Sequence, residues 1–277
     1  MLHAITAART PLVRRKVARK VEKHPRLRML ARFRKLVCGL PLIRSRKAHR
    51  GRKMTMKRVF RILMKTYGLA DPTHNERAAW KFPTTKTTSA EILRLAKSLT
   101  YGELHPNSWY RALRCLKLRK EDVVVDLGSG TGKIIVQAAL QSTCKKLIGI
   151  EILHNRHEEA MCAHAKLERS MPRTSARINF IEGNFLEANI SEATVVYMAN
   201  HVFEEPLPTN ILEKLKTLPS LRAVVCMTEP CFKHTDVCHK LDKACASFYS
   251  KFKLESKGRC DVSWSHGSAL LVYKLRA

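Results

Sequence analysis

An acidic residue followed by three alternating glycines is the part of this sequence with the clearest chemical purpose. An apolar run leads into Asp126, and Gly128, Gly130 and Gly132 follow at every second position. Glycines at such spacing let the backbone approach a ligand and adopt angles that a side chain forbids. Glu151 lies 19 residues beyond Gly132, at the end of the next predicted strand, where a carboxylate can accept hydrogen bonds from both hydroxyls of a ribose. Together these residues predict a site for an adenosyl ligand, with a simple tight turn as the alternative.

The spacing of the glycines distinguishes two kinds of adenosyl ligand. A dinucleotide-binding turn has the pattern Gly-x-Gly-x-x-Gly, which would need glycine at position 133, where this sequence has Lys133. Gly-x-Gly-x-Gly after an acid resembles instead the first motif of the S-adenosylmethionine-dependent methyltransferases, in which Asp126 would face the ammonium group of the cofactor. Asn184 and Phe185 follow the third predicted strand. There an amide oxygen can accept a hydrogen bond from adenine, and the ring can either stack on adenine or fill the core.

Apolar runs alternate with segments of helical periodicity from about residue 100 onward. This alternation predicts an α/β fold with a parallel, doubly wound sheet. Together with the resemblance of the glycine motif, it implies the Rossmann-like class I S-adenosylmethionine-dependent methyltransferase fold, with a mainly parallel, seven-stranded sheet. The last two runs have no helix between them, so they predict a hairpin at the end of the sheet. The predicted strands are 123–127, 146–152, 177–181, 194–198, 221–227, 248–255 and 262–275, and the predicted helices between them include 134–141, 154–169 and 207–218.

Charge divides the sequence into a basic arm and a less basic body. Of the 277 residues, 52 are Lys or Arg and 23 are Asp or Glu, a net charge of +29, and residues 1–60 hold 20 of the basic residues and a single acid. We predict a basic N-terminal arm at 1–70, a helical linker at 71–99 and a catalytic domain at 100–277. Residues 56–64 predict an amphipathic helix laid against the body. A basic arm of this density predicts a polyanionic partner such as DNA, RNA or an acidic membrane surface.

The composition also bears on where the protein acts. No apolar run approaches the roughly 18–20 residues that span a bilayer, so we expect no membrane-embedded segment. Among the polyanionic partners that the arm suits, we predict nucleic acid and not a membrane. The basic cluster at 44–53 is typical of nuclear import or nucleic-acid contact, and the nucleus is the predicted location. The Arg-rich, acid-poor N-terminus also suits a mitochondrial presequence, which leaves the mitochondrion as the alternative.

Three further short motifs resemble those of one methyltransferase family. Tyr101-Gly102-Glu103 precedes the first predicted strand, residues 194–203 cover the fourth strand and the loop after it, and Val262-Ser263-Trp264 lies near the C-terminus. Their order and spacing resemble the non-SET histone-lysine methyltransferases of the "disruptor of telomeric silencing" family, over about residues 90–275. The resemblance implies that S-adenosylmethionine is the cofactor, that histone H3 within nucleosomes is the partner, and that a lysine in the folded core of H3 is methylated.

The resemblance also implies which residues form the site. The residues implied to be catalytic, as the walls of a narrow lysine channel, are Tyr101, Asn200, Phe203 and Trp264. The residues implied to bind the cofactor are Tyr101, Gly102, Glu103, Leu104, Val124, Val125, Asp126, Leu127, Gly128, Ser129, Gly130, Thr131, Gly132, Lys133, Glu151, Asn184 and Phe185. The arm residues expected to neutralise phosphates of nucleosomal DNA are Arg44, Arg46, Lys47, Arg50, Arg52 and Lys53. The sequence departs from the family at 199–201, where Ala-Asn-His replaces two asparagines and an aromatic residue.

Two other functions and a metal site fit the sequence less well. An RNA or DNA adenine methyltransferase would also suit the basic arm, but such enzymes commonly place Asn-Pro-Pro-aromatic after the fourth strand, and no proline follows Asn200 there. A non-catalytic chromatin-binding protein would not need the intact Asp126 motif. Cys231, His234, Cys238 and Cys245 come close together in the sequence, but none forms a Cys-x-x-Cys pair, so we predict no metal site.

Overall fold

The computed structural model describes residues 54–67, 102–231, 243–263 and 267–276. Within these residues, seven strands form one sheet. Their bounds are β1 (Val123–Leu127), β2 (Lys146–Glu151), β3 (Ile178–Glu182), β4 (Val195–Met198), β5 (Ala223–Cys226), β6 (Phe252–Cys260) and β7 (Ser268–Leu275). Strands β1, β4 and β5 are buried along their whole length, as expected for the centre of a sheet that is covered by helices, whereas β3 at the edge of the sheet is only partly buried.

The strand order is β3-β2-β1-β4-β5-β7-β6. The first five strands are parallel, while β7 pairs antiparallel with both β5 and β6. The sheet therefore ends in the predicted hairpin, and the predicted class I methyltransferase fold is confirmed. The chain leaves β1 toward one edge of the sheet and returns to β4 on the other side, so the order reverses between β1 and β4. Ligands of open α/β sheets bind at the carboxyl ends of the strands at such a point.

Helices cover both faces of the sheet. In the described residues they are α1 (Met56–Tyr67), α2 (Pro106–Leu116), α3 (Lys133–Gln141), α4 (His154–Ser170), the short α5 (Pro172–Ser175), α6 (Leu207–Lys216) and α7 (Lys243–Lys251). Apolar residues of α1 to α4 form one core with one face of the sheet, and those of α6 and α7 form a second core with the other face. Strand β1 contributes to both cores because its successive side chains alternate between the faces.

Two of the predicted strands differ from those observed. Residue 248 was expected to begin a strand, but α7 extends to Lys251 and β6 begins at Phe252. Ala244, Cys245 and Phe248 are buried at helical spacing, and they pack beneath the sheet in the second core. Val262 forms an isolated bridge with Leu104 instead of starting β7.

Helix α1 confirms the amphipathic helix predicted near the end of the basic arm. Val59 and Leu63 are buried in the first core and Phe60 is also buried, while Arg58 and Arg61 are exposed to solvent. Apolar burial of this kind attaches a helix to the body at about 25 cal/mol for each Å² removed from water. The boundaries of the predicted linker at 71–99 lie outside the described residues.

Candidate active site

A cavity of about 440 Å³ opens at the carboxyl ends of β1 and β4, where the strand order reverses. A volume of this size falls in the range that holds a small molecule or cofactor. The walls come from the loops after the first four strands and from the segment that precedes α2. The cavity brings together these residues expected from the sequence to form the site: Gly102, Glu103, Leu104, Asp126, Leu127, Gly128, Ser129, Gly130, Lys133, Glu151, Asn184, Phe185 and Phe203.

Of the remaining expected residues, those that the structure describes are not among the cavity walls. Val124 and Val125 are fully buried within β1, where they pack in the two opposite cores. Thr131 and Gly132 lie at the far side of the glycine turn, and a Cβ on Gly132 would collide with the Phe180 ring. Tyr101, Trp264 and the six arm residues, Arg44, Arg46, Lys47, Arg50, Arg52 and Lys53, lie outside the described residues.

The glycine turn after β1 is fastened to β2 and leaves open space above it. The amides of Gly128 and Ser129 donate to the Ile150 carbonyl at 3.0 and 2.9 Å. Gly128 has a φ of +84°, a backbone angle that other residues rarely adopt. A Cβ built there would meet no atom within 4 Å, so the space beside this glycine is free for a ligand.

Asp126 carries the strongest electrostatic sign of a ligand. Its side chain is 1% exposed, and its Oδ1 accepts no hydrogen bond from any described residue. Burial, and secondarily the carboxylate of Glu151, raises the pKa of Asp126 well above its ordinary value. A buried carboxylate without a partner is costly. A cationic or hydrogen-bond-donating ligand group beside it would remove that cost, and the ammonium group of S-adenosylmethionine fits.

Glu151 is buried and holds the backbone on either side of the cavity. Its Oε2 accepts from the Gly130 amide at 2.7 Å, and its Oε1 accepts from the Leu153 amide at 2.9 Å. The Arg156 guanidinium lies 4.0 Å from Oε1. Each carboxylate oxygen has more than one acceptor position, so the group can still accept from two ribose hydroxyls. Glu151 is therefore both a structural residue of the turn and a candidate ribose ligand.

The loops after β3 and β4 together supply an aromatic wall. The Phe185 and Phe203 rings stack with centroids 6.3 Å apart and planes inclined by 29°. Asn184 uses its amide within the loop: Oδ1 accepts from the Leu186 amide and Nδ2 donates to Glu187, each at 3.0 Å. The amide of Asn184 thus shapes the loop, and Phe185 and Phe203 provide the apolar surface.

A segment that covers the cavity is fastened to the C-terminal hairpin. We call residues 102–104 the cover segment. The Ser263 amide donates to the Glu103 carbonyl at 2.9 Å, and the Glu103 amide donates to the Ser263 hydroxyl at 3.1 Å. Leu104 and Val262 form an antiparallel bridge between the same two stretches. The motifs predicted from distant parts of the sequence therefore meet at one wall of the cavity.

Comparison with known proteins places the chain. Residues 88–273 match the family model "Histone methylation protein DOT1". This chain belongs to the DOT1 family. The chain is 41% identical over 106 residues to a protein-lysine N-methyltransferase of Saccharolobus islandicus, a match that covers 38% of this chain and 58% of the relative. It is 30% identical over 131 residues to a histone H3 lysine-79-specific methyltransferase of Caenorhabditis elegans, which covers 43% of this chain and 14% of that protein.

The matches thus span little more than half of the first relative and a small part of the second. A third relative, an H3 lysine-79-specific methyltransferase of Aspergillus fumigatus, is 30% identical over 125 residues. That match covers 40% of this chain and 24% of the relative. DOT1 is an S-adenosylmethionine-dependent family, and the unpartnered Asp126, the open space at Gly128 and the carboxylate of Glu151 fit that cofactor.

The loop where this chain departs from the DOT1 pattern has an unexpected geometry. Asn200 was expected in the lysine channel, but its Oδ1 accepts from the Met227 and Thr228 amides at 2.9 and 3.0 Å, and its Nδ2 donates to the Thr228 carbonyl at 3.1 Å. Asn200 therefore ties the loop after β4 to the end of β5. Ala199 and His201, its two neighbours, line the cavity instead.

Several wall residues were missed by reasoning from the sequence. They are Ile134, Ile152, Arg156, Leu186, Tyr197, Ala199, His201, Val202 and Leu207. For Tyr197 the sequence offered only its place in the predicted fourth strand, 194–198, and the structure then puts it opposite Asp126 in the register of β1 and β4. Arg156 had a signal, since it lies in the first turn of the helix that follows Glu151. The apolar members carry no signal beyond their position near strand ends or at the start of helices, as for Ile134 and Leu207.

No helix among the described residues is both long and apolar enough to cross a membrane. Across residues 54–67, 102–231, 243–263 and 267–276, no three His, Cys, Asp or Glu side chains are grouped to hold a metal ion. His234 and Cys238 of the cysteine-rich stretch lie outside these ranges.

Proposed function

We propose that this chain transfers a methyl group from S-adenosylmethionine to the side chain of a lysine in the folded core of histone H3 within nucleosomes. The single observation that carries the proposal is the cavity that joins a buried, unpartnered Asp126 to the aromatic wall of Phe185 and Phe203. The DOT1 family match and the H3 lysine-79-specific relatives support the same substrate class.

Different residues of the cavity bind different parts of the cofactor. Asp126 accepts from the cofactor's ammonium group, Glu151 accepts from its ribose hydroxyls, and Phe185 packs against adenine. Gly128 leaves room for the ligand beside the turn, and Glu103 lies over it in the cover segment. When bound, the cofactor supplies a methyl group on a sulfonium, which is already activated for transfer. The protein's own task is then to align an amine and to exclude water.

The aromatic wall prepares the lysine for attack. Free lysine has a pKa of about 10.4 and is mostly protonated at neutral pH, so it cannot act as a nucleophile. An apolar environment disfavours the ammonium form. Phe203, with Tyr101 and Trp264 from the adjoining motifs, provides that environment in our proposal. Asn200 holds the loop that carries Phe203, because its amide is bonded to the backbone after β5.

The basic arm supplies affinity for nucleosomal DNA. A lysine on a folded histone surface offers little peptide to bind, so much of the affinity has to come from elsewhere on the particle. Neutralising phosphates provides sequence-independent affinity that falls steeply with salt. The arm residues that carry this role are Arg44, Arg46, Lys47, Arg50, Arg52 and Lys53. The exposed Arg58, Arg61 and Lys65 of α1 extend the basic surface onto the folded body. Such a function places the protein in the nucleus.

Substrate choice is tested by offering labelled cofactor with nucleosomes, free histones or naked RNA. We expect label on histone H3, strongest with nucleosomes, and none on RNA. Mass spectrometry of the labelled H3 identifies the lysine. Label on RNA with unlabelled histones would overturn the proposal in favour of an RNA methyltransferase. Microscopy of the tagged full chain in cells shows whether the protein is in the nucleus or in the mitochondrion.

The role of the arm is tested by changing its six basic residues at 44–53 to glutamine in the full chain. We expect weaker nucleosome binding and a flatter dependence of that binding on salt, with unchanged cofactor affinity. A matched control replaces six exposed lysines and arginines of the body that lie away from α1. Equal losses in the two variants would show that the arm has no special contact with DNA.

A further inference from the structure

Tyr67, the last residue of helix α1, contacts a side chain that lines the cofactor cavity. The Lys133 ammonium lies 5.3 Å from the centre of the Tyr67 ring, within the range of a cation–π contact. Lys133 is the first residue of α3, directly after the glycine turn, and it lines the cavity. Tyr67 is thus in contact with a wall residue of the cavity from a helix that contributes no wall residue of its own.

Lys133 connects this contact to the cover segment. Its ammonium forms an ion pair with the Glu103 carboxylate, and both side chains are about one quarter exposed. A partly exposed ion pair between two flexible side chains contributes little by itself, because holding both chains in one geometry costs entropy. An aromatic ring against the ammonium restricts where Lys133 can go, and so keeps Glu103 over the cavity.

Several contacts fix α1 where Tyr67 can act. The Lys166 ammonium of α4 donates to the Thr66 carbonyl at 3.1 Å. The centres of the Phe60 and His105 rings are 6.0 Å apart, and His105 follows the cover segment directly. The position of Tyr67 is therefore set by the body of the protein.

The hydroxyl of Tyr67 makes no comparable contribution. It is buried and has no hydrogen-bond partner among the described residues. Burial, followed by the carboxylates of Glu103 and Glu159, raises the pKa of Tyr67 well above its ordinary value, so the ring stays neutral. The useful part of this side chain is its aromatic face.

We propose that Tyr67 is a positioning residue for S-adenosylmethionine, which holds the Lys133–Glu103 ion pair and with it the cover segment. Helix α1 ends before residue 88, where the DOT1 match begins, so this contact adds to the family's cavity an element from the basic arm. The inference rests on the cofactor cavity assigned above and is independent of the methyl acceptor.

The test measures binding of S-adenosylhomocysteine to full-length variants by calorimetry, together with their melting temperatures. Tyr67→Leu is expected to weaken binding about three- to tenfold, because the cation–π contact is lost. Tyr67→Phe keeps the aromatic face and is expected to bind within about twofold of the unchanged protein. Ile62→Ala, a matched control elsewhere in α1, is expected to lower the melting temperature without weakening binding.

A double-mutant cycle separates positioning from packing. In a Lys133→Gln background, Tyr67→Leu is expected to cause no further loss of affinity, because its only route to the cofactor is gone. If Tyr67→Leu does not fold, Tyr67→Met gives the same comparison. The proposal is overturned if the leucine variant binds as tightly as Ile62→Ala, or if Tyr67→Phe loses as much affinity as Tyr67→Leu. Failure of every variant and of the unchanged chain to bind would instead overturn the proposed function.

Discussion

Replacing Asp126 with asparagine should make the cofactor-free protein more stable and its cofactor affinity much lower. The change keeps the shape of the side chain and removes its charge. Because the pKa of Asp126 is raised in the folded state, the folded protein keeps the proton on this carboxyl to higher pH than the unfolded chain does. The stability of the cofactor-free protein therefore falls as pH rises from about 3.9, the ordinary aspartate value, toward the raised value. Asp126→Asn removes this loss.

The size of both effects follows from the missing partner at Oδ1. Asparagine leaves a polar group at the same position but removes the charge, so the gain is the difference between burying a carboxylate and burying an amide, and we expect it to be about 1–3 kcal/mol at pH 7.5. Hydrogen bonds to charged groups contribute about 1.5–3 kcal/mol, so losing the bond to the cofactor's ammonium should weaken affinity about 10- to 150-fold.

Asp122 at the other end of the same strand provides the control. It is also buried, but it accepts hydrogen bonds from Arg222, from the Thr194 hydroxyl at 2.8 Å and from the Arg119 amide at 2.6 Å. Burial raises the pKa of Asp122, but these partners outweigh burial and leave it below the ordinary value. Asp122→Asn should therefore destabilise the protein, by about 3 kcal/mol, because it breaks a buried ion pair.

The assay combines thermal unfolding between pH 5 and 9 with calorimetric titration of S-adenosylhomocysteine. Opposite shifts in melting temperature for the two substitutions, with affinity lost in Asp126→Asn, are the expected result. A destabilised Asp126→Asn protein with unchanged affinity would refute the reasoning, since Asp126 would then have a partner in the protein and no role toward the ligand.

Two further predictions concern the same cavity. Gly128→Arg should abolish cofactor binding in a folded protein, because the side chain enters the open space beside the turn; near-normal affinity by calorimetry would contradict the assigned position of the ligand. Glu151→Gln should lower both stability and affinity, by about 1–3 kcal/mol each, since one of two buried backbone amides loses its acceptor along with a ribose hydroxyl. Circular dichroism and calorimetry would separate the two losses, and a loss of stability alone would confine Glu151 to a structural role.

Most of the sheet could be predicted from the sequence because its central strands are buried on both faces. Such strands appear as continuous apolar runs, and the bounds of β1 to β5 agree with the prediction to within two residues. The prediction failed at residue 248, where a run of aromatic and apolar residues supports either a strand or a buried helix. Packing of Phe248 under the sheet decides between them, and no local pattern records that packing.

The candidate site divides in the same way. The residues predicted from local motifs, such as Asp126 and Gly128, line the cavity. The conformation of a glycine turn that follows a strand depends mainly on nearby residues, so it can be predicted from the sequence. The orientation of the Asn184 and Asn200 amides could not be foreseen, because their partners are backbone groups set by tertiary structure. The contact of Tyr67 with Lys133 depends in the same way on how α1 docks.

The bonds between Glu103 and Ser263 join residues 160 positions apart, and this separation has a consequence for how the protein is made. Chains emerge from the ribosome N-terminus first, at about 5–20 residues per second. The glycine turn and Glu151 are synthesised before the C-terminal hairpin, so the cover segment cannot bond to Ser263 until that hairpin has been made. The nascent chain therefore carries an unfinished ligand pocket for much of its synthesis, and removing the C-terminus before Val262 would take away the partner of the cover segment together with β7, whose residues pack in both cores.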